Sequence, residues 1–443
     1  MKHLSIDGFA GGGGASCGLK MAGIEVTIAI NHDPAAIRMH TVNHPKTLHL
    51  TEDIFQVDLS KYLDPDDVVD VMWASPDCTS HSKAKGGQPR ELGLRILPWA
   101  VFRLCQQIQK VTGQLPSMLF MENVEEIQEW GPLDKNGHPI PSKKGREYRR
   151  FIRSMKKLGF SFDSRVLTAA DYGAPTTRKR WYAVFRSDGK PIRWPEPTHA
   201  KEPGGMFPLK PWVPVSTCLD FTDLGCSIFE RKKPLANATL KRIANGIRKF
   251  IAENPKPFFL TDQQAFPFLI QYHSETTSGD VRGQTVDEPL KTIDTSNRYA
   301  LVSVFITKFY RTGTGQEVTE PLHTITTSPG HFGLISVFLV KYYGTEQSGH
   351  SITEPLATIT TKDRFGMVST IIKNYNIEDI RMRMLKPEEL KLAQGFPKDY
   401  IIDHDAEGNP YPIKDQVAKI GNSVVPIMAA AIAKANLESK QEK

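Results

Sequence analysis

The stretch Asp7-Gly8-Phe9-Ala10-Gly11-Gly12-Gly13-Gly14 decides the fold. It follows a short β-rich run, Leu4–Ile6, and leads into Ala15–Ala22, whose apolar residues recur at helical spacing, so a strand turns through glycines into a helix. Glycines let the backbone turn sharply and approach a ligand closely, while the helix start offers unpaired N–H groups and the positive end of its dipole. A Gly-rich turn of this kind also occurs without any ligand, and several classes of nucleotide cofactor would compete for it.

Beyond this stretch, strands are expected at Glu25–Ile30, Val68–Ala74, Met118–Glu122 and Trp181–Phe185, with one more shortly before Asp53. Pro34–His44 and Leu94–Lys110 carry the intervening helical periodicity. Alternation of this kind predicts an α/β class, with a doubly wound, Rossmann-like parallel sheet covered by helices. After Arg186 the texture changes, with Pro191, Pro195, Pro197, Pro203, Pro208, Pro211 and Pro214 crowding one segment. The chain is therefore read as a first domain over 1–186, a mainly β second domain over 187–380, and a helical segment over 381–443 that returns to the first.

The second domain contains an internal repeat. Glu288-Pro289-Leu290, Glu320-Pro321-Leu322 and Glu354-Pro355-Leu356 each precede a Thr-Ile pair at Thr292, Thr324 and Thr358, within three units spanning about 268–370. Two units open alike, with Lys308 before Phe309-Tyr310 and Lys341 before Tyr342-Tyr343. One reading is a β scaffold with no ligand of its own. The other is a nucleic-acid face, since lysines beside aromatics meet phosphates and stack on bases.

Composition narrows the class. A 443-residue chain exceeds one ordinary core, and its 40% hydrophobic and 24% charged residues exclude wholesale disorder and fibrous architectures. The formal charge of +7 suits a polyanionic partner without requiring one. Five cysteines (Cys17, Cys78, Cys105, Cys218, Cys226) lack CxxC spacing, which argues against a disulfide framework or zinc knuckle and for a reducing cytosol. The N-terminus lacks the apolar stretch of a secretory signal, and no apolar run is expected to reach the roughly 18 residues needed to cross a bilayer.

Three further motifs end on the sheet edge where open α/β folds place their sites, and a fourth stands just before a strand. Asn31-His32-Asp33 follows the second strand, where nucleoside-binding folds put a carboxylate on ribose hydroxyls; Asp33 fits equally as the cap of the helix opening at Pro34. Asn31 would make the ribose contact without charge, and Asp53 is the next candidate to face a cofactor. The fourth strand ends in Ala74-Ser75-Pro76-Asp77-Cys78, a loop cysteine among polar neighbours that can be held as a thiolate, although cysteines of this kind are more often buried hydrophobes. Glu122 ends the apolar run Met118–Met121 and must be exposed, paired or functional. Arg178 and Arg180 stand one residue apart before a strand, a spacing that points both to one face.

Together and in this order, the motifs resemble the cytosine-C5 DNA methyltransferase family of bacterial or phage type across nearly the whole chain. Phe9–Gly14 is similar to the family's first motif, Pro76 through Cys78 to the catalytic fourth, Glu122-Asn123-Val124 to the sixth, and Arg178 with Arg180 to the eighth. Arg383 through Pro397 is similar to the ninth, and Gly421-Asn422-Ser423-Val424-Val425-Pro426 to the tenth. Between the eighth and ninth lies the region the family uses for target recognition.

The resemblance implies a DNA (cytosine-5)-methyltransferase that uses S-adenosyl-L-methionine, with Phe9, Gly11, Gly13, Asn31, Asp53, Pro76, Asn422 and Ser423 at the cofactor. It also implies that double-stranded DNA yields a flipped cytosine to Cys78 as covalent nucleophile, with Glu122 on N3 and the exocyclic amine, Arg180 on O2, and Arg178 steadying the nucleophile loop. No metal is required, monomeric action is expected, and a cognate restriction endonuclease is a candidate partner in a bacterial or phage-infected cytoplasm. The chain departs from the family pattern at Asp77, Thr79, Thr176 and Asn31, none of which removes a group the chemistry needs. Three rivals stay open: an RNA cytosine methyltransferase, a catalytically silent DNA-binding protein of the same fold, and, on the glycine loop alone, a dinucleotide-dependent oxidoreductase.

Overall fold

The computed structural model describes residues 1–77, 95–204, 208–272, 282–308, 338–341, 349–351, 365–367, 371–372 and 375–437. Cys78 and Thr79, and the second and third Glu-Pro-Leu repeats, lie outside the described residues. The chain divides into two compact units, one of Met1–Cys218, Pro289–Asn297 and Lys386–Lys443, the other of Leu219–Glu288 and Arg298–Leu385.

The first unit is built on seven strands: β1 His3–Gly8, β2 Ile28–Ile30, β3 Leu48–Leu50, β4 Val68–Ala74, β5 Met118–Asn123, β6 Ser161–Thr168 and β7 Lys179–Arg186. They pair in the order β3-β2-β1-β4-β5-β7-β6. β4 and β5 read as near-continuous apolar runs because the central strands are buried on both faces, and β1 is equally buried although Ser5 and Asp7 interrupt its apolar residues. Strands β3, β2, β1, β4 and β5 are parallel, but β7 runs antiparallel to β5, and β6 antiparallel to β7. The all-parallel expectation is thus corrected to a mixed sheet. The crossover through helix Arg146–Leu158 delivers β6 parallel to β5 but one place away from it, and the shorter connection from β6 returns β7 antiparallel into the place between them.

Helices cover both faces. α1 Gly14–Met21, α2 Pro34–Asn43, α3 Leu97–Thr112 and α4 Arg146–Leu158 come first. Asp33 caps α2 by accepting from Ala35 N at 2.9 Å, with Pro34 at the first helical position. α3 opens on Leu97-Pro98, carries Lys110 in its last turn and stops at Gly113 with φ +74°. One core joins Ile6, Ile30, Met72, Leu104, Phe151 and Phe185. The other joins Leu19, Val71, Trp73, Phe120, Met428 and Ile432.

In the second unit, helix α5 Asn237–Gly246 packs through Ile243 against an antiparallel sheet. Its strands run Cys226–Ser227, Tyr375–Met384, Tyr299–Lys308, Ala265–Gln271 and Gly283–Thr285 in spatial order, with Ile371–Ile372 also paired to Tyr375–Met384.

The first unit closes with α6 Pro387–Ala393, α7 Ile413–Asn422 and α8 Pro426–Asn436. α8 lies on α1, where a Cβ on Gly18 would meet Pro426 O at 2.4 Å and Ala429 Cβ at 2.5 Å. The run Ile413–Asn436 is long and apolar enough by composition to cross a membrane, contrary to the expectation that no run reaches that length. It is two helices parted at extended Ser423 and Val425, mostly buried as a core element.

Candidate functional site

The carboxyl ends of β1, β2, β3, β4 and β5 share one edge of the sheet, and the strand order reverses between β1 and β4. Open α/β sheets bind ligands in the crevice beyond such a switch point. β7 runs the other way, so its beginning, not its end, reaches this edge: Trp181 pairs with Asn123 and Tyr182 with Glu122. The reversal brings Arg180 to Glu122.

Glu122 and Arg180 form an ion pair at 3.2 Å between Oε1 and Nε, too poorly aligned to be a hydrogen bond, with side chains only 9% and 13% exposed. Withdrawal from solvent strengthens the attraction, since screening falls with the local dielectric. Beside it, Asn123 Nδ2 donates to Pro76 O at 2.9 Å and Asn123 Oδ1 accepts from Val124 N at 2.9 Å. One buried amide thereby fastens the segment entering the Cys78 loop to the strand carrying Glu122. The sequence places Asn123 in the motif Glu122-Asn123-Val124 but does not tell that its amide would hold Pro76.

Arg178 goes elsewhere. It is buried and donates to Ile293 O at 3.3 Å and Gly421 O at 3.1 Å, while Thr176 Oγ accepts from Arg178 N at 3.3 Å. Thr177 N donates to Leu290 O and Leu290 N to Pro175 O, each at 2.8 Å, so Pro289–Asn297 lies along the approach to β7 as part of the first unit. The two arginines therefore serve different contacts despite their spacing.

In the glycine loop, Phe9 N and Ala10 N both donate to Ile30 O at 3.0 Å, which ties the turn to the end of β2. Phe9, Gly11 and Gly13 have φ of +72°, +52° and +86°, in the left-handed region. Gly13 is required twice over, because a Cβ there would lie 2.1 Å from the Tyr400 hydroxyl. That hydroxyl donates to Gly12 O at 2.7 Å, and burial pushes its pKa well above the usual phenol range, keeping the donor protonated. Tyr400, 388 residues away in sequence, carried no local signal.

Beneath the loop runs a buried polar chain. Ser16 Oγ donates to Asp7 Oδ2 at 2.7 Å and meets His40 Nε2 at 2.8 Å, and His40 Nδ1 meets His49 Nε2 at 2.8 Å. Burial pushes the Asp7 carboxyl up to about 7 and the neighbouring His44 down to about 4.

The remaining candidates lie along the same edge. Asn31 Oδ1 accepts from Asp33 N at 2.9 Å, and Asp33, committed to its cap, also pairs with Lys419. Asp53 is exposed and accepts from Phe55 N at 2.8 Å. Asn422 is exposed at the end of α7, whereas Ser423 is buried, its Oγ donating to Lys419 O at 2.7 Å. Among the described residues, no group of three or more His, Cys, Asp or Glu is arranged to hold a metal ion.

The family model described as C-5 cytosine-specific DNA methylase matches residues 4–438. Type II methyltransferase M.AquIA of Picosynechococcus sp. is 27% identical over 212 residues, covering 45% of this chain and 78% of the relative. Type II methyltransferase M.SacI of Streptomyces achromogenes is 28% identical over 211 residues, covering 44% of this chain and 50% of the relative, so the match spans half of that protein. The solved structure of a Spodoptera frugiperda DNMT2 variant is 14% identical, with 97% of each chain covered and a TM-score of 0.49.

Proposed function

The chain is a methyltransferase belonging to the C-5 cytosine-specific DNA methylase family, and on that premise we propose that it methylates carbon 5 of a cytosine flipped out of duplex DNA, with S-adenosyl-L-methionine as methyl donor. The observation that carries this reading is the buried Glu122–Arg180 pair on the sheet edge where Asn123 holds Pro76, two residues before Cys78 in sequence. A carboxyl group and a guanidinium side by side match the N3, exocyclic amine and O2 edge of a cytosine.

The edge suits the cofactor. The loop Phe9–Gly14 turns through left-handed residues, and a Cβ built on Gly11 would find its nearest atom, Phe9 O, 3.8 Å away, which leaves room for a ligand against the backbone. Phe9, Gly11, Gly13 and Pro76 would line it, with Asn31 toward a ribose, Asp53 toward an adenine, and Asn422 and Ser423 closing from the C-terminal side. Bound there, S-adenosyl-L-methionine supplies an electrophilic methyl group.

Cytosine C5 is too electron-poor to accept that group unaided. Addition of the Cys78 thiolate to C6 makes C5 enamine-like, a covalent route that divides one barrier into two. Glu122 stabilises the charge that builds toward N3, and Arg180 holds the O2 edge and the Glu122 carboxyl together. Arg178, anchored on Ile293 O and Gly421 O, is assigned a steadying role toward the nucleophile loop. After methylation, solvent water takes the C5 proton, the C5–C6 double bond re-forms, and the C6–sulfur bond breaks to release Cys78 as a thiolate. Flipping the base costs roughly a few kcal/mol, which phosphate contacts offset. The type II names of the relatives support a place in restriction and modification, alongside a cognate endonuclease.

The test incubates the protein with methyl-labelled S-adenosylmethionine and duplex DNA, beside a Cys78→Ala variant and a tRNA control. Label on cytosine C5 of DNA, lost in the variant, is the expected result. Label confined to tRNA, or cofactor binding without transfer to either, overturns it.

A further inference from the structure

Helix α4 carries charge that the proposed chemistry leaves unused. From Lys143 to Lys157 the chain holds eight Lys or Arg and one acid, a net +7 that equals the formal charge of all 443 residues. On the helix itself Arg146, Arg149, Arg150, Arg153, Lys156 and Lys157 fall at i, i+3, i+4, i+7, i+10 and i+11, one continuous stripe, and all six are exposed. The opposite face, Phe151, Ile152 and Met155, is buried in the sheet core.

Little neutralises this stripe. Among the described residues, Arg150 pairs with Glu147 at 3.5 Å and the preceding Lys144 with Glu129 at 2.9 Å, and the other cations have no acid within ion-pair distance. Arg149 and Arg153 donate only to backbone carbonyls of their own helix region, Lys144 O and Arg149 O. Like charges at i, i+3 and i+4 repel, so an isolated stripe of this density costs stability unless an anion relieves it.

The helix also starts at the candidate site. Gly145 N donates to Glu129 O at 3.1 Å, Glu147 N to Trp130 O at 3.0 Å, and the Tyr148 ring meets Trp181, neighbour of Arg180, edge-on at 5.9 Å. From there α4 runs the depth of the sheet to Ser161, which pairs with Arg186 at the far end of β7.

We infer that the α4 stripe is a second, sequence-independent contact surface for duplex DNA, engaging phosphates outside the flipped base. The inference rests on the DNA reading above. Four of the six cations are arginines, whose planar forks suit phosphate oxygens. Eleven residues of helix rise cover roughly 16 Å, an axial length of duplex bearing about nine phosphate charges. An acidic protein partner fits less well, because such interfaces centre on apolar or aromatic anchors and no exposed large hydrophobic residue lies on α4. A membrane surface fits less well again, since the apolar face of this helix is already buried.

The test compares the full chain with a variant carrying Arg149→Gln, Arg153→Gln, Lys156→Gln and Lys157→Gln, binding a long duplex across a salt series. Each lost phosphate contact should flatten the dependence of log affinity on log salt by about 0.9, so a drop in slope of about 3 to 4 is expected. Melting temperature of the free protein should be no lower than the wild type's, because the like-charge repulsion is relieved, and turnover at saturating DNA should stay as in the wild type. A variant with unchanged slope and affinity overturns the inference while leaving the methyltransferase reading intact. A wild type that neither binds nor methylates duplex DNA overturns both.

Discussion

Asn123 Nδ2 donates to the carbonyl oxygen of Pro76 at 2.9 Å, joining the ends of β4 and β5 one residue beyond Glu122 and two before Cys78. The bond is buried, so its loss leaves a carbonyl without water to replace the donor. It couples the position of the proposed nucleophile to that of the group that would activate the ring.

Asn123→Ala should therefore lower both stability and rate. An unpartnered buried carbonyl costs about 1–3 kcal/mol, and a nucleophile loop released by even an ångström should slow transfer roughly tenfold to a hundredfold. Chemical denaturation and single-turnover methylation measure the two effects; a variant that melts lower but transfers at the wild-type rate would separate the bond from catalysis.

Glu122→Gln keeps the shape of the side chain but removes its exchangeable charge, and should reduce transfer by about 10²–10⁴-fold, the range for a positioned acid or base. DNA binding should persist. Arg180→Ala should be the less stable variant, because it strands a carboxylate that is only 9% exposed. Combining the two changes should recover part of that stability; a strictly additive double variant would show that the pair is not coupled.

Gly18→Ala should destabilise the first unit without touching the site. Its Cβ would lie 2.4 Å from Pro426 O and 2.5 Å from Ala429 Cβ, forcing α8 off α1. Overpacking of this kind costs about 1–3 kcal/mol. A thermal midpoint equal to the wild type's would mean that α8 slides at little cost.

Stability should also depend on pH through the chain beneath the glycine loop. Burial raises Asp7 to about 7, so its contribution is fully present below the unfolded value of 3.8 and is lost as pH rises through about 7. Burial lowers His44 to about 4, and lowers His40 as well with the help of His44; their contributions are present above 6.5 and lost on acidification. The two trends oppose each other between these limits. Asp7→Asn removes the opposing trend, so its denaturation midpoint should fall more steeply from pH 7 to about 5 than the wild type's. Parallel curves for the two proteins would refute the assignment to Asp7.

Much of the site was legible before the fold was known, because Glu122, Arg178, Arg180 and the glycine run sit within local patterns that place them at element ends. β4 and β5 showed themselves as apolar runs, β1 through the glycines that follow it, and the Pro34 helix through its cap. β6 escapes a sequence reading because it alternates polar with half-buried residues as an edge strand, and helix α5 because it lies in a segment whose prolines and repeats point to a β domain; α4 does carry an apolar stripe, Tyr148, Phe151, Ile152 and Met155, beneath its cations. Tyr400 reaching Gly12 across 388 residues, and Asn123 reaching Pro76 across 47, leave no local trace at all.

What the sequence determined by itself is the inventory: which strands turn into which helices, and which reactive side chains stand at the turns. Periodicity and capping are properties of neighbouring residues, so they can be read without the rest of the chain. Only the tertiary structure decided that β7 enters antiparallel beside β5, which carries Arg180 to Glu122 and turns Arg178 toward the carbonyls of Ile293 and Gly421. A strand's direction is settled by the partner whose backbone donors and acceptors it satisfies and by the connection that delivers it, and both lie far away in the chain.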